Sequence, residues 1–324
     1  MNLVEAINHA LRLELERDRR VVVFGEDVGK AGGVFRATDG LQAAFGSDRV
    51  LDTPLAESAI VGTAVGMAAR GLRPVAELQF LGFIYEAMDQ LASQAARLRL
   101  RTAGRYTVPL VLRAPYGGGV RTPELHSDSL EGLFLHSPGL KVVMPSSPYD
   151  AKGLLLAAIR DPNPVLFLEP MKLYRAYKEE VPEGDYTIEL GKANVLMEGH
   201  DLTIITWGAA VPVVRNVAKE WTEKQGVSIE VLDLRTVSPM DEEAIVASVQ
   251  KTGRAMIVHE AVKAGGVGAE VSAIINEKAM FSLLAPIVRV TGYDIPYPTP
   301  MVEDDWLPNA KRISAGIEQL LSYV

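Results

Sequence analysis

The sequence predicts an α/β protein with two parallel-sheet units, on three observations. Short runs rich in β-branched residues alternate with longer segments of helical periodicity. The short runs are apolar throughout, as in strands covered on both faces, and do not alternate apolar with polar. The alternation lapses once, over residues 170–192, and then resumes.

Taken in order, "MNLVEAINHALRLELERDRR" sets Leu3, Ile7, Ala10, Leu11 and Leu15 at helical spacing, with Glu5, Glu14 and Glu16 between them. "RVVVFGED" (20–27) reads as a strand. A helix follows over 55–70, with Thr53 suited to its N-cap and Pro54 to its first position. "RPVAEL" (73–78) and "VPLVLRAP" (108–115) are strands around a helix over 83–101. "LKVVMPS" (140–146) and "PVLFLEP" (164–170) are strands around a helix over 148–160. "MKLYRAYKEEVPEGDYTIELGK" is charged, holds Pro and Gly, and reads as a linker. The second series runs "DLTIITWG" (201–208), helix 210–225, "VSIEVLDLRT" (227–236), helix 241–250, "RAMIVHE" (254–260), "PIVRVTG" (286–292) and a terminal helix over 309–321. At 324 residues the chain exceeds one typical core, so two domains are expected, 1–185 and 186–324.

Composition narrows the function classes. A net charge of −8 argues against general nucleic-acid binding and suits a basic protein partner. With no cysteine, disulfide frameworks, thiolate nucleophiles and Cys-type metal sites drop out together. His9, His136, His200 and His259 show no metal-ligand spacing. The first twenty residues lack the apolar run of a secretory signal and are too acidic for a transit peptide. No segment has the length of a membrane span, so a cytoplasmic protein is expected.

Several motifs allow both a structural and a functional reading. Glu57 enters an almost uncharged helix, "ESAIVGTAVGMAARG". It is either a carboxylate stabilised by the helix N-terminus or a desolvated acid kept for chemistry. A Thr-x-x-Glu capping box would put the acid at Ala56, one residue earlier. Gly62 and Gly66 make a flat helix face, for a subunit contact or for packing within the chain. "GGGV" (117–120) and "AGGVGAE" (264–270) lack the Walker ending and read as tight or mobile loops. The first follows a strand end, where open α/β sheets bind ligands. His126 lies between that loop and a helix expected to begin near Ser127. Gln79 and Phe83, an amide beside a flat aromatic, sit where a strand ends and suit either a heteroaromatic ring or ordinary packing.

The segments "GEDVGKAGGVFRATDGL", "DTPLAESAIVG", "GLRPVAELQF", "PYGGGVRTPELHSDSLEGL", "PSSPYDAKGLL", "IRDPNPVLFLEP" and "VLDLRTVSP" occur in this order. Over essentially the whole chain they resemble the β subunit of the thiamine-diphosphate-dependent decarboxylating component of 2-oxo acid dehydrogenase complexes. The resemblance implies a pyrimidine-type parallel-sheet domain followed by a transketolase C-terminal-like α/β domain. It implies that Glu57 hydrogen-bonds the aminopyrimidine of the cofactor, and a carboxylate in an apolar wall can share a proton with a ring nitrogen. By the same resemblance, Glu26, Leu55, Ala56, Gln79 and Phe83 contact the cofactor. Phe80, Leu81, Gly82 and Phe83 border the substrate, and His126 stands at the mouth, handling the intermediate and the incoming lipoyl group. Leu110, Ala158, Ile159, Asp161 and Asn163 would offer oxygens to K+, although "RDPNP" also reads as a plain turn.

Thiamine enzymes anchor the diphosphate through Mg2+ on a Gly-Asp-Gly motif, and this sequence has none. An α subunit is therefore expected to supply that half, giving an α2β2 heterotetramer. The resemblance also implies docking of the lipoyl and peripheral subunit-binding domains of a dihydrolipoyl acyltransferase. "FLGF" (80–83) and "TPELHSDSLEG" point to pyruvate enzymes of Gram-positive type, while "FLEPMKLYR" (167–175) leans to branched-chain 2-oxo acids. An acetoin-cleaving relative and a non-catalytic assembly scaffold are the other readings.

Overall fold

A computed structural model describes residues 1–323. In the first half, α1 (Leu3–Arg17), β1 (Val21–Gly25), α2 (Leu41–Phe45), β2 (Val50–Asp52), α3 (Glu57–Ala69) and β3 (Arg73–Glu77) come first. Then follow α4 (Ala96–Arg101), β4 (Val111–Tyr116), α5 (Glu131–Leu135), β5 (Lys141–Val143), α6 (Pro148–Arg160) and β6 (Val165–Pro170). The second half holds β7 (Asn194–Met197), β8 (Leu202–Thr206), α7 (Val211–Gln225), β9 (Ile229–Asp233), β10 (Thr236–Ser238) and α8 (Glu242–Thr252). It ends with β11 (Ala255–Val262), α9 (Val267–Ala279), β12 (Val288–Gly292), α10 (Glu303–Trp306) and α11 (Ala310–Leu321).

Two sheets result, in the orders β10-β5-β6-β4-β3-β1-β2 and β12-β11-β8-β9-β7. All pairings are parallel except β10 with β5 and β7 with β9. The predicted strand 227–236 ends as β9 at Asp233 in the second sheet, and β10, which starts at Thr236, crosses over and closes the first. One apolar cluster runs through both units, joining Leu112 and Leu166 to Trp207, Leu232 and Ile257.

Local sequence explains most helix starts. Asn2 and Glu5 form a reciprocal capping box on α1, and Ser147 caps α6 with Pro148 in its first turn. The start of α3 differs from expectation. The Thr53 N–H donates to the Gly25 carbonyl at 3.0 Å, so strand-type pairing runs on past β2. Residues 53–56 stay outside the helix, with a bend at Leu55, and Glu57 becomes the first helical residue behind Ala56, which offers no side-chain cap.

The helix expected over 83–101 is three pieces: a 3-10 turn at 81–87, a π turn at 89–95, then α4. The loop expected over 264–270 instead opens α9, whose Val267, Val271, Ile274 and Ile275 face the core. The helix expected near Ser127 is a 3-10 turn at Glu124–His126, with α5 beginning at Glu131. Among the described residues no helix is long and apolar enough to cross a membrane.

Candidate active site

The singled-out residues gather at the carboxyl ends of four adjacent strands, β4-β3-β1-β2. That edge is where open parallel sheets place ligands. Glu26 follows β1, Glu57 follows β2, Gln79 to Phe83 follow β3, and the loop to His126 follows β4.

The acidic part comes first. Asp52 at the end of β2 accepts the Gly29 and Lys30 amides at 2.6 and 3.1 Å, which folds the 26–33 loop back onto the sheet. Asp27 sits there in the left-handed region, φ 57, which Asp tolerates. Gln79 Nε2 donates to Asp27 Oδ2 at 3.4 Å. Burial raises the Glu26 carboxyl above its ordinary range, and the charges of Asp27 and then Glu57 push the same way. Glu26, Asp27 and Glu57 thus share one neighbourhood. Glu57 is only 9% exposed, and among the described residues no donor reaches its carboxylate. An apolar cavity of about 140 Å³, lined by Phe24, Thr53, Pro54, Ala56, Ala59, Ile60 and Thr63, adjoins it. Leu55 is exposed and Ala56 half-buried.

The aromatic part follows directly. The 3-10 turn repeats every three residues, so side chains at i and i+3 share a face. Phe80 and Phe83 fall on one face, with centroids 5.8 Å apart, and the His126 ring meets them edge-on at 4.5 and 5.1 Å. Leu81, Ile84 and Ala87 fall on another and are fully buried in the core. Leu81, read as bordering substrate, thus packs its side chain into the core. Gly82 is needed for a different reason: a β-carbon there would overlap the Leu125 carbonyl oxygen, so the turn and the His126 loop touch backbone to backbone. His126 is half-buried, and its Nδ1 is buried without a partner.

Beneath the site lies a group the sequence reading missed. Arg113 of β4 donates to Glu77 of β3 at 2.6 Å and to both oxygens of Glu169 of β6 at 2.6 and 2.9 Å. The Tyr174 hydroxyl donates to Glu169 at 2.7 Å. All four side chains are buried. Burial raises the Glu77 carboxyl against the opposing pull of Arg113. The signal was available: "PVAEL", "LVLRAP" and "LFLEP" each carry one charge inside an apolar strand, with opposite signs on neighbours.

Leu110, Ala158, Ile159, Asp161 and Asn163 also come together, at the turn after α6. The Leu110 carbonyl accepts Val165 N–H at 2.8 Å, and the Ala158 carbonyl accepts Asp161 N–H at 3.2 Å. Arg73 Nη1 donates to the carbonyls of Ile159 and Asp161 at 2.7 and 3.3 Å. A carbonyl has two lone pairs, so each retains one for a cation. The two glycines of α3 separate: Gly62 packs on Gln90 within the chain, and Gly66 faces open space.

Residues 1–176 match the family described as "Transketolase, pyrimidine binding domain", and residues 191–313 the one described as "Transketolase, C-terminal domain". A solved "Split gene transketolase, inactive beta4 tetramer" shares the fold, with a TM-score of 0.82 over 100% of this chain and 99% of that one, at 23% identity. Fold and domain pair define the transketolase-type class. Curated relatives from Bacillus subtilis (strain 168) and Staphylococcus epidermidis are 57% and 58% identical over 323 residues, covering 100% of this chain and 99% of each relative. Both bear the name "Pyruvate dehydrogenase E1 component subunit beta", and the chain belongs to that family.

Proposed function

We propose that this chain, with an α subunit, forms the thiamine-diphosphate-dependent component that decarboxylates pyruvate and reductively acylates a lipoyl group. The observation that carries the reading is Glu57, a buried carboxylate without a donor in its own chain, at the strand edge beside Gln79 and the Phe80–Phe83–His126 cluster. That leaves its carboxylate open to a partner that is not part of this chain. An aminopyrimidine ring nitrogen would be such a partner.

Bound thiamine diphosphate supplies the nucleophilic carbon and the electron sink for losing CO2 from a 2-oxo acid. Glu57 holds and moves a proton at the pyrimidine ring nitrogen. Gln79, fixed by Asp27, offers an amide to the same ring, and Phe83 offers a face. Phe80 and Phe83 keep water from the His126 ring, which stands where an acceptor enters. Glu26, Leu55 and Ala56 complete the cofactor wall, and Gly82 brings the His126 loop close. The Mg2+ and diphosphate half falls to the α subunit in an α2β2 assembly, with the open Gly66 face of α3 as the β–β contact. K+ on the carbonyls around Leu110 and Asp161 would brace the turn after α6. A K+-specific rise in thermal midpoint over choline checks that site.

The pull of "FLEPMKLYR" toward branched-chain substrates weakens on this reading, because Glu169 and Tyr174 are spent on the Arg113 network. The test is kcat/KM for pyruvate against 2-oxoisovalerate, using the chain co-expressed with its α subunit and a dye acceptor. Pyruvate is expected to lead by about 10–200-fold, the range that a few methylenes in a pocket can supply. A preference for 2-oxoisovalerate overturns the substrate, and no activity by an intact heterotetramer overturns the reaction.

A further inference from the structure

The loop that carries His126 is held by the other unit. It leaves β4 at Gly117, and its next two amides meet carboxylates from the C-terminal half. Gly118 N–H donates to Glu260 of β11, and Gly119 N–H donates to Glu303 Oε1 at 2.8 Å. The same Glu303 oxygen accepts the Tyr297 hydroxyl at 2.7 Å. Glu303 is 1% exposed and Tyr297 7%. Tyr297 is itself braced edge-on by Trp306 at 4.7 Å. Gly118 has no room for a side chain, since a β-carbon would overlap the Tyr297 hydroxyl. Arg121 adds an exposed ion pair to Asp304 at 2.6 Å.

Little slack separates this clamp from His126. Thr122 and Ser127 hydroxyls bond at 2.7 Å across the turn, and His126 N–H donates to the Pro123 carbonyl at 3.0 Å. The turn is thus tied to Glu303 at its leading end and to the Gly82 turn, through Leu125, at its far end. Glu303 begins α10 yet spends its carboxylate on an amide 184 residues earlier in the chain, where a mere helix cap would stay local.

We propose that Glu303, held by Tyr297, is a positioning residue that fixes the His126 loop, so that the C-terminal domain sets the geometry of the site's mouth. The consequence for catalysis rests on the reading of His126 given above; the anchoring does not.

The experiment uses the α2β2 holoenzyme with Glu303→Ala, which removes the acceptor, and, as the milder change, Tyr297→Phe. Hydrogen exchange is followed at amides 118–126, and dye-linked decarboxylation is compared with reductive acylation of a lipoyl domain. Exchange at 118–126 is expected to quicken by up to about tenfold, as for loss of one buried hydrogen bond. Exchange in β11 and β12 should stay unchanged, and acylation should fall more than dye reduction. Unchanged protection at 118–126 in both variants overturns the proposal, as does faster exchange spread evenly over the C-terminal domain. Faster local exchange with unaltered acylation upholds the anchoring and removes His126 from the acylation step.

Discussion

Glu57 and His126 differ in what they ask of their surroundings. Glu57 needs burial without an internal partner, and α3 provides it by starting at that residue, with Ala56 unable to cap. Its replacement by Gln keeps the shape and removes the proton exchange proposed for it. Decarboxylation by the heterotetramer is expected to fall about 10²–10⁴-fold, the range for a lost general acid–base group, while size-exclusion chromatography shows intact assembly. Loss of assembly along with activity would favour a scaffold. His126 needs only an aromatic wall and a fixed loop. His126→Ala is expected to slow acylation of a lipoyl domain more than it weakens cofactor binding, measured by calorimetry on the same heterotetramer. The position of both residues at strand ends was legible in the sequence. Asp27 was not, because nothing in "GEDVG" tells which of two adjacent acids a left-handed turn directs toward Gln79.

At the scale of elements, the 3-10 turn after β3 sorts four consecutive residues into different fates. Leu81 is core, so Leu81→Ala is expected to destabilise by about 2–5 kcal/mol and to leave KM for pyruvate unchanged. Thermal unfolding and steady-state kinetics check this together. The Arg113 network ties β3, β4 and β6 under the site. Arg113→Met would leave Glu77 and Glu169 buried without their cation, at a cost of about 3–5 kcal/mol. Replacing Glu169 by Met as well should recover part of the loss in the thermal midpoint. Neither feature follows from a window of sequence. Apolar periodicity here fits a helix of either pitch, and an ion pair across strands needs the strand order.

For the whole molecule, the two units are not separate modules. β10 closes the first sheet from the second half, and the clamp on Gly118 and Gly119 crosses the same boundary. Burial at that boundary drives the Glu260 carboxyl from 4.5 up to about 7, with the Gly118 amide opposing and Glu131 reinforcing the rise. The folded chain therefore binds a proton that the unfolded chain releases between those values. That stability is present in full below pH 4.5 and is lost as pH rises through about 7. Glu260→Gln, neutral throughout, should flatten the fall of the thermal midpoint over this window relative to wild type. Asp233, raised by burial to about 7, leaves some slope in both. A chain without Gly-Asp-Gly is also expected not to bind thiamine diphosphate tightly alone. Micromolar binding by the isolated chain in calorimetry would contradict the half-site reading.

The sequence by itself determined the α/β class, the two-unit division, the start of α6 and the placing of Glu57, Gln79 and His126 near strand ends. These depend on local periodicity, capping chemistry and ordered motifs, which a one-dimensional reading can weigh. Tertiary structure decided the rest. Thr53 lost its predicted cap role because pairing with Gly25 holds it in strand geometry. Leu81 went to the core because the 3-10 pitch turned it there. Arg113, Glu260 and Glu303 found partners 36 to 184 residues away. Solvation and long-range pairing are properties of the folded surroundings, so no stretch of sequence contains them.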